Sequence, residues 1–349
     1  MEKNKKNLII GAIVNYNWEI LSPFFNSFKE AKFKNCECVM FVGNMEEITI
    51  HKIKSLGVIV YEIPKKFKNK NIINFRWKIY EKYLNENMDK YNLIFTTDLR
   101  DSIFQKDVFN FYDTKKKKSF IGFALEEDNI CNSSFNKKWL INAYGFNFYN
   151  SIKNKRIICV GTIWGTPDKF KEFSKIMWEI LDSKWSLKKK VIEQAVCNYL
   201  IYHDKLFNDS MIISENKNGP IMTIGRTNRK DILIDSNDNI LNRKLQIAAV
   251  IHQYDRHKDI VSLIRKKYCS KDKEFFKLRN NIKGNNEKLI IRANYNFILF
   301  ILGLLVLIIK LFIALCKFII KRSKNKIKNY KISKLNKGEL ESLKNNSNN

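Results

Sequence analysis

Glycine and proline are scarce in this 349-residue chain, at 12 and 4 residues, which excludes collagen-like and proline-rich low-complexity architectures. Hydrophobic residues still make up 45% and aromatics 13%. That excludes a disordered chain and is ample for the core of one large or two ordinary domains. Arginine is the second shortage: of 64 basic residues only 11 are Arg, leaving 53 Lys beside 42 Asn. Lys, Asn and Ile share A/T-rich codons, so the net charge of +29 is open to a reading as codon bias rather than as a binding surface. Base and phosphate recognition leans on the planar Arg fork, and its scarcity argues against a specific nucleic-acid partner.

Cysteine follows no framework. Seven are scattered singly, and Cys36-Glu-Cys38 lacks the spacing and the second pair of a zinc knuckle. Most of the others lie in apolar runs as small hydrophobes, and a reducing compartment is expected. Uninterrupted apolar runs long enough to span a bilayer are also missing. Leu8–Val14 is too short, lacks a cleavage signature, and reads as a buried strand rather than a signal peptide. Phe297–Ile309 gives 13 uncharged residues, resuming around Lys310 and Lys317 as far as Ile320, whereas a span needs about 20.

Asn296, Gly303, Lys310 and Lys317 recur every seven residues and share one helix face. Residues 310–349 carry 11 basic and 2 acidic side chains. A greasy helix with a polar stripe and a basic flank suits in-plane attachment to an anionic surface, although a packed span or a buried core helix shares these features. The expected location is the cytoplasmic face of a membrane, by the positive-inside rule. The organisation expected is a globular domain over 1–270, a linker over 271–292, a hydrophobic membrane-associated helix over 293–322 and a basic tail over 323–349.

Within the globular part, apolar runs of four to eight residues alternate with amphipathic stretches of ten or more, the signature of an α/β domain with parallel strands and crossover helices. Strands are expected at 8–14, 38–42, 58–61, 93–97, 120–124, 157–160 and 247–251. Helices are expected at 20–31, 46–56, 72–88, 168–181 and 187–202, and loops at 208–245 and 270–288. In open α/β sheets ligands sit at the carboxyl ends of strands. Leu93-Ile-Phe-Thr-Thr-Asp98-Leu-Arg100-Asp101 is such an end, with two carboxylates around a guanidinium. Carboxylates there can hold a hard divalent ion. Equally, one of them can cap the following helix while Arg100 neutralises it.

Thr97-Asp98-Leu-Arg100-Asp101-Ser-Ile-Phe104-Gln105-Lys-Asp107-Val-Phe109 resembles the TDxRDxxFQxDxF block of bacterial and plant sugar transferases, within the GT-A-fold nucleotide-diphospho-sugar glycosyltransferases. Over roughly residues 8–257 further segments follow in the same order: Asn74-Phe-Arg76-Trp, Ile158-Cys-Val-Gly161-Thr-Ile-Trp-Gly165, Glu193-Gln194-Ala-Val-Cys-Asn198, and His252-Gln-Tyr-Asp255-Arg256. The resemblance implies a Rossmann-type mixed sheet flanked by helices and a hexose moved from a nucleoside-diphosphate donor to a hydroxyl of a glycan or lipid-linked acceptor. It implies donor binding by Arg76, Asp98, Arg100, Asp101, Gly161, Gly165 and Gln194. Asp98, Asp101 and His252 would hold a divalent Mn²⁺ or Mg²⁺, and Glu193 or Asp255 would act as catalytic base. Two departures stand out: Arg100 occupies the place of the second acid in the usual DxD, and Glu193 replaces the customary Asp.

Other readings of the same residues stay open. His252 suits a core histidine, Arg76 an exposed helix face, Glu193-Gln194 the first turn of an amphipathic helix, and Lys115–Lys118 a solvated loop. For the whole chain, the alternatives are a non-catalytic sugar-nucleotide-binding scaffold and a basic membrane- or nucleic-acid-binding protein.

Overall fold

A computed structural model describes residues 5–63, 71–112, 119–183 and 192–270. The expected linker, hydrophobic helix and basic tail, Lys115–Lys118 and the 187–191 start of one expected helix lie outside the described residues. Among the described residues no helix is long and apolar enough to cross a membrane.

The first half alternates as the apolar pattern dictates: β1 (Lys6–Val14), α1 (Trp18–Glu30), β2 (Cys36–Gly43), α2 (Glu47–Ser55), β3 (Ile59–Glu62), α3 (Ile72–Asn87) and β4 (Tyr91–Thr97). Side-chain oxygens of Asn17 and Asn71 accept from Ile20 N and Ile73 N and so start α1 and α3, the usual work of Asn at a helix start. In α1, Trp18, Leu21, Phe24 and Phe25 are buried at three- and four-residue spacing, the stripe a sheet-packing helix requires. The remaining elements are β5 (Ser102–Phe104), β6 (Ile121–Asn129), α4 (Ser134–Ile152), β7 (Arg156–Gly165), α5 (Pro167–Ser183), α6 (Glu193–Tyr202), β8 (Met211–Ser214), β9 (Ile221–Thr223), β10 (Leu233–Ile234), β11 (Ile240–Leu241), β12 (Val250–His252) and α7 (Lys258–Cys269).

The main sheet runs β3-β2-β1-β4-β7-β6-β9-β12-β5, with β8 beside β6, and β10 and β11 form a separate ribbon. Strands β3, β2, β1 and β4 are parallel, whereas β7 lies antiparallel to both β4 and β6. The sheet is therefore mixed, as the family resemblance implies; the apolar runs by themselves suggested parallel strands, and β7 departs from that because an apolar run does not record its direction. The expected loop at 208–245 also contains β8 to β11. Strands of two to four residues are too short for alternation to show. Helices α4 and α7 were not expected. The apolar residues of β1, β4, β6 and β7 pack on Trp77 and Tyr80 of α3, Phe170 and Phe173 of α5, and Val196 and Leu200 of α6.

The motif around residue 100 divides between cleft and scaffold. Gln105 donates from Nε2 to the carbonyls of Ile240 (2.9 Å) and Ala248 (2.9 Å) and accepts from Ile240 N (2.8 Å), tying the β10–β11 ribbon to β5. Asp107 accepts from Phe109 N (3.0 Å) and Lys34 N (3.2 Å), and Phe104 packs edge-on against Phe24 and Phe33. The described cysteines are free.

Candidate active site

Past Thr97 the chain turns away from β4 and returns as β5, and a hydrogen bond between the hydroxyls of Thr97 and Ser102 (2.7 Å) closes that excursion. The turn brings Asp98 and Asp101 together. Strand β12 runs antiparallel to β5 with His252 opposite Ser102 and, on its other side, parallel to β9 with His252 opposite Thr223. This register alone delivers the imidazole beside the two acids: Nε2 lies 3.6 Å from Asp98 Oδ2 and 3.7 Å from Asp101 Oδ1. One ligand atom from each of the three residues falls within 4.8 Å of the others.

His252 is 1% exposed, and its Nε2 has no hydrogen-bond partner among the described residues. Its Nδ1 faces Thr223 Oγ1 (3.3 Å) and Cys159 Sγ (3.4 Å). A buried polar atom without a partner is costly, and here it points at two carboxylates. Two carboxylates and an imidazole suit Mn²⁺ well and Mg²⁺ through its oxygen ligands, so the donor set fits the expected divalent ion. Gly161 makes the arrangement possible: a Cβ there would stand 2.5 Å from His252 Cε1 and 2.8 Å from Asp98 Oδ2.

Arg76 is buried rather than displayed on a helix face. It donates from Nη1 to Asp98 Oδ1 (2.7 Å), from Nε and Nη2 to Glu193 (3.2 and 2.9 Å), and from Nη2 to the Val160 carbonyl (3.3 Å). Trp77 Nε1 adds a bond to Glu193 Oε2 (3.0 Å). Arg76 thus fixes Asp98 in place. Burial would depress the Arg76 guanidinium, but Glu193 and Asp98 outweigh it and hold it charged. Burial pushes Glu193 up to about 8 against the pull of Arg76, while every neighbour of its oxygens is a donor, which favours the carboxylate form. Asp98 is held well below the usual Asp range, because Arg76 and His252 outweigh its burial. Asp101 is raised, by burial first, with Asp98 and Asp255 adding to it. Two acids driven apart in this way are characteristic of carboxylates sharing a site.

Arg100, 44% exposed, pairs with Asp101 Oδ2 (3.3 Å) and Asp255 Oδ2 (3.2 Å), and Asp255 also takes Arg256 Nη1 (2.6 Å). Asp255 therefore stands beside the His252 cluster in an Arg–Asp–Arg group. Gln194 is buried and committed to the protein: Oε1 accepts from Val160 N (3.2 Å), and Nε2 donates to Glu126 Oε1 (2.9 Å) and Asn136 Oδ1 (3.2 Å). Gly165 lies four residues further along β7, where a Cβ would meet the Phe120 carbonyl oxygen at 2.6 Å. It serves the close crossing of β7 and β6 and is not brought to the cluster.

Asp98, Arg100, Asp101, Arg76, Glu193, Gln194 and Arg256 border one cleft of about 420 Å³, whose lining also includes Val14 at the end of β1, Tyr16 just after it, Ile72 of α3 and Trp139 of α4. A larger cavity of about 680 Å³, lined by Tyr112, Trp164 and Ser214 among others, holds none of these residues. Sequence reasoning missed Glu126, Asn136, Trp77, Thr223, Tyr16 and Trp139. Only Glu126 carried a signal, as an acid ending the apolar run Phe120–Leu125.

No family model matches the sequence, and no curated protein matches it. Among solved structures, the chain is similar to the galactosyltransferase LgtC in complex with donor and acceptor sugar analogues, at 13% identity over 74% of this chain and 95% of that one, with a TM-score of 0.45. An active-site mutant of LgtC gives 12% identity over 73% and 94%, with a TM-score of 0.45. The glycosyltransferase GlyE of Streptococcus pneumoniae TIGR4 gives 12% identity over 72% of this chain and 55% of that one, with a TM-score of 0.44.

Proposed function

We propose that this chain is a glycosyltransferase that moves a hexose from a nucleoside-diphosphate donor to a hydroxyl of a glycan or lipid-linked acceptor. The observation that carries the reading is the Asp98–Asp101–His252 group: the buried Nε2 of His252 has no hydrogen-bond partner among the described residues, and the two acids, just past the carboxyl end of β4, line a cleft together with Arg100 and Arg256. Asp98, Asp101 and His252 would hold the divalent ion, which supplies positive charge where the departing diphosphate gathers negative charge. Arg100 and Arg256, both well exposed, present guanidinium forks to phosphate oxygens. Arg76 and Glu193 keep Asp98 in one orientation, which preorganises the site.

Of the two acids expected as base, Glu193 already accepts three bonds from Arg76 and Trp77. Asp255 is paired through Oδ2 with Arg100 and Arg256, and its Oδ1, without a hydrogen-bond partner among the described residues, is buried away from the residues that line the cleft. In this arrangement neither acid is open to an acceptor hydroxyl. The segment 293–322, with its basic flank, is proposed to hold the enzyme at an anionic leaflet on the cytoplasmic side, where envelope glycan precursors are assembled. Co-sedimentation of the full chain with phosphatidylglycerol vesicles, weakened by salt, checks that part.

Thermal shifts of the full chain with UDP-, GDP-, CMP- and dTDP-sugars, with and without Mn²⁺, test the activity. A donor at a hundredfold excess over Kd stabilises by about 2.7 kcal/mol. A shift for one nucleotide that requires Mn²⁺ and disappears in Asp101→Asn is expected, together with slow donor hydrolysis. Absence of both with every donor would overturn the reading.

A further inference from the structure

The cleft has two kinds of wall. One is charged, carrying Asp98, Arg100, Asp101 and Arg256; the other brings α4 to the cleft through Trp139, beside Gln194 of α6. Phe135, one turn earlier on α4, lies against Trp139 with ring centroids 5.9 Å apart and 36° between planes. Phe135 is 65% exposed, so an aromatic edge runs from inside the cleft to its outside. A single exposed aromatic is ordinary on a surface; here it stacks on a second one that lines a polar cleft, an apolar wall beside convergent polar groups, which is the make-up of a ligand site.

The position of this edge is fixed by the interior of the site. Ser133 caps α4 by accepting from Asn136 N, and Asn136 Nδ2 donates back to Ser133 Oγ (3.0 Å). Asn136 Oδ1 in turn accepts from Gln194 Nε2 (3.2 Å). Trp139 lies three positions beyond Asn136 and therefore on the same helix face. The hydrogen-bonded residues that lock α4 to α6 thus also set the distance between the indole and the carboxylate cluster.

The geometry points to Trp139 and Phe135 as a stacking platform for a pyranose ring of a neutral glycan, which, resting on the transferase reading above, is the acceptor. A pyranose offers what this wall matches: one apolar C–H face to lie on an aromatic plane and a rim of hydroxyls toward nearby carboxylates and amides. A lipid chain has no such rim, and a cleft holding Asp98, Arg100 and Arg256 does not suit it. A nucleoside diphosphate is drawn instead to the charged wall.

Saturation-transfer NMR on the full chain with the methyl α- and β-glycosides of glucose, galactose, mannose and N-acetylglucosamine tests this without relying on turnover. Saturation is expected on the C–H face of at least one glycoside, with affinity falling about tenfold in Trp139→Ala, less in Phe135→Ala, and recovering in Trp139→Phe. Unchanged melting temperatures show that the variants fold. Asp101→Asn should keep the saturation, since the platform does not contain that carboxylate. No saturation with any glycoside, or equal saturation in Trp139→Ala, would overturn the platform. Loss of phosphatidylglycerol-vesicle binding in Phe135→Ala without any glycoside signal would also overturn it, in favour of a membrane edge. Glycoside stacking in a chain that neither binds nor hydrolyses any nucleotide-sugar would leave the platform standing and remove the transferase.

Discussion

Gly161 is the smallest residue at the site and the least replaceable. An alanine there would press on both His252 and Asp98, so Gly161→Ala should weaken Mn²⁺ binding by at least about tenfold while the chain still folds, as titration calorimetry with Mn²⁺ will show. Glu193→Gln makes a sharper test. Arg76 Nη2 donates to one Glu193 oxygen, and Arg76 Nε and Trp77 Nε1 to the other. An amide nitrogen in either place would meet donors only, and a loss of about 1–3 kcal/mol is expected in chemical denaturation. The two acids were legible in the sequence, because acids that end an apolar strand sit where ligands sit, whereas His252 was joined to them only by the family resemblance, since a histidine after an apolar strand suits the core equally well. The bonding of Arg76 was not legible: its partners, Asp98 and Glu193, are 22 and 117 positions away. Nor was the service of Gly165 to strand crossing, since a glycine in a strand looks the same whether backbone or ligand approaches it.

Among the elements, β5 shows how one sequence block serves two ends. Its leading acids face the cleft while Gln105 holds the β10–β11 ribbon by three bonds. Gln105→Ala should therefore cost about 2–3 kcal/mol, at roughly 1 kcal/mol per bond, and leave the Mn²⁺ affinity unchanged in the folded protein. A large fall in that affinity would assign Gln105 to the site instead. The alternation of β1 through β4 with their helices could be read from periodicity because each element is long enough to show its period. The direction of β7 could not, and β8 to β11 were invisible, because two to four residues carry no period. Helix α4 was hidden for a different reason: its large apolar residues are distributed around it, with Phe135 and Phe146 facing solvent and Leu140 and Tyr149 facing inward.

For the molecule as a whole, acid should undo what the buried ion pairs hold. The Asp98 carboxyl is depressed in the folded chain relative to its ordinary value of 3.8. Its contribution is therefore complete above that value and is lost as pH falls below it. The stability difference between the wild-type chain and Asp98→Asn, followed by urea denaturation, should hold constant from neutral pH down to about pH 4 and shrink below it; growth of that difference toward acid would reverse the assignment. Arg76→Met should cost more at neutral pH, about 3–5 kcal/mol, because it strands Glu193 in the interior. Composition gave a core of sufficient size and the alternation of apolar and amphipathic stretches gave the α/β class, but neither gave the charge pairing, since Arg76, Asp98, Arg100, Asp101, Glu193 and Arg256 are all residue types common on surfaces.

Glu193 and Gln194 are adjacent on α6 yet hold different partners, the first tied through Arg76 to Asp98 and the second through Asn136 to α4. One turn of helix is therefore a shared anchor for the carboxylate cluster and the aromatic edge. Two ligands that meet a common anchor obey reciprocity: whatever factor a cation at Asp98 applies to the affinity for a sugar at Trp139, the sugar must return to the cation. The order in which the two arrive then changes the route but not the free energy of the loaded state.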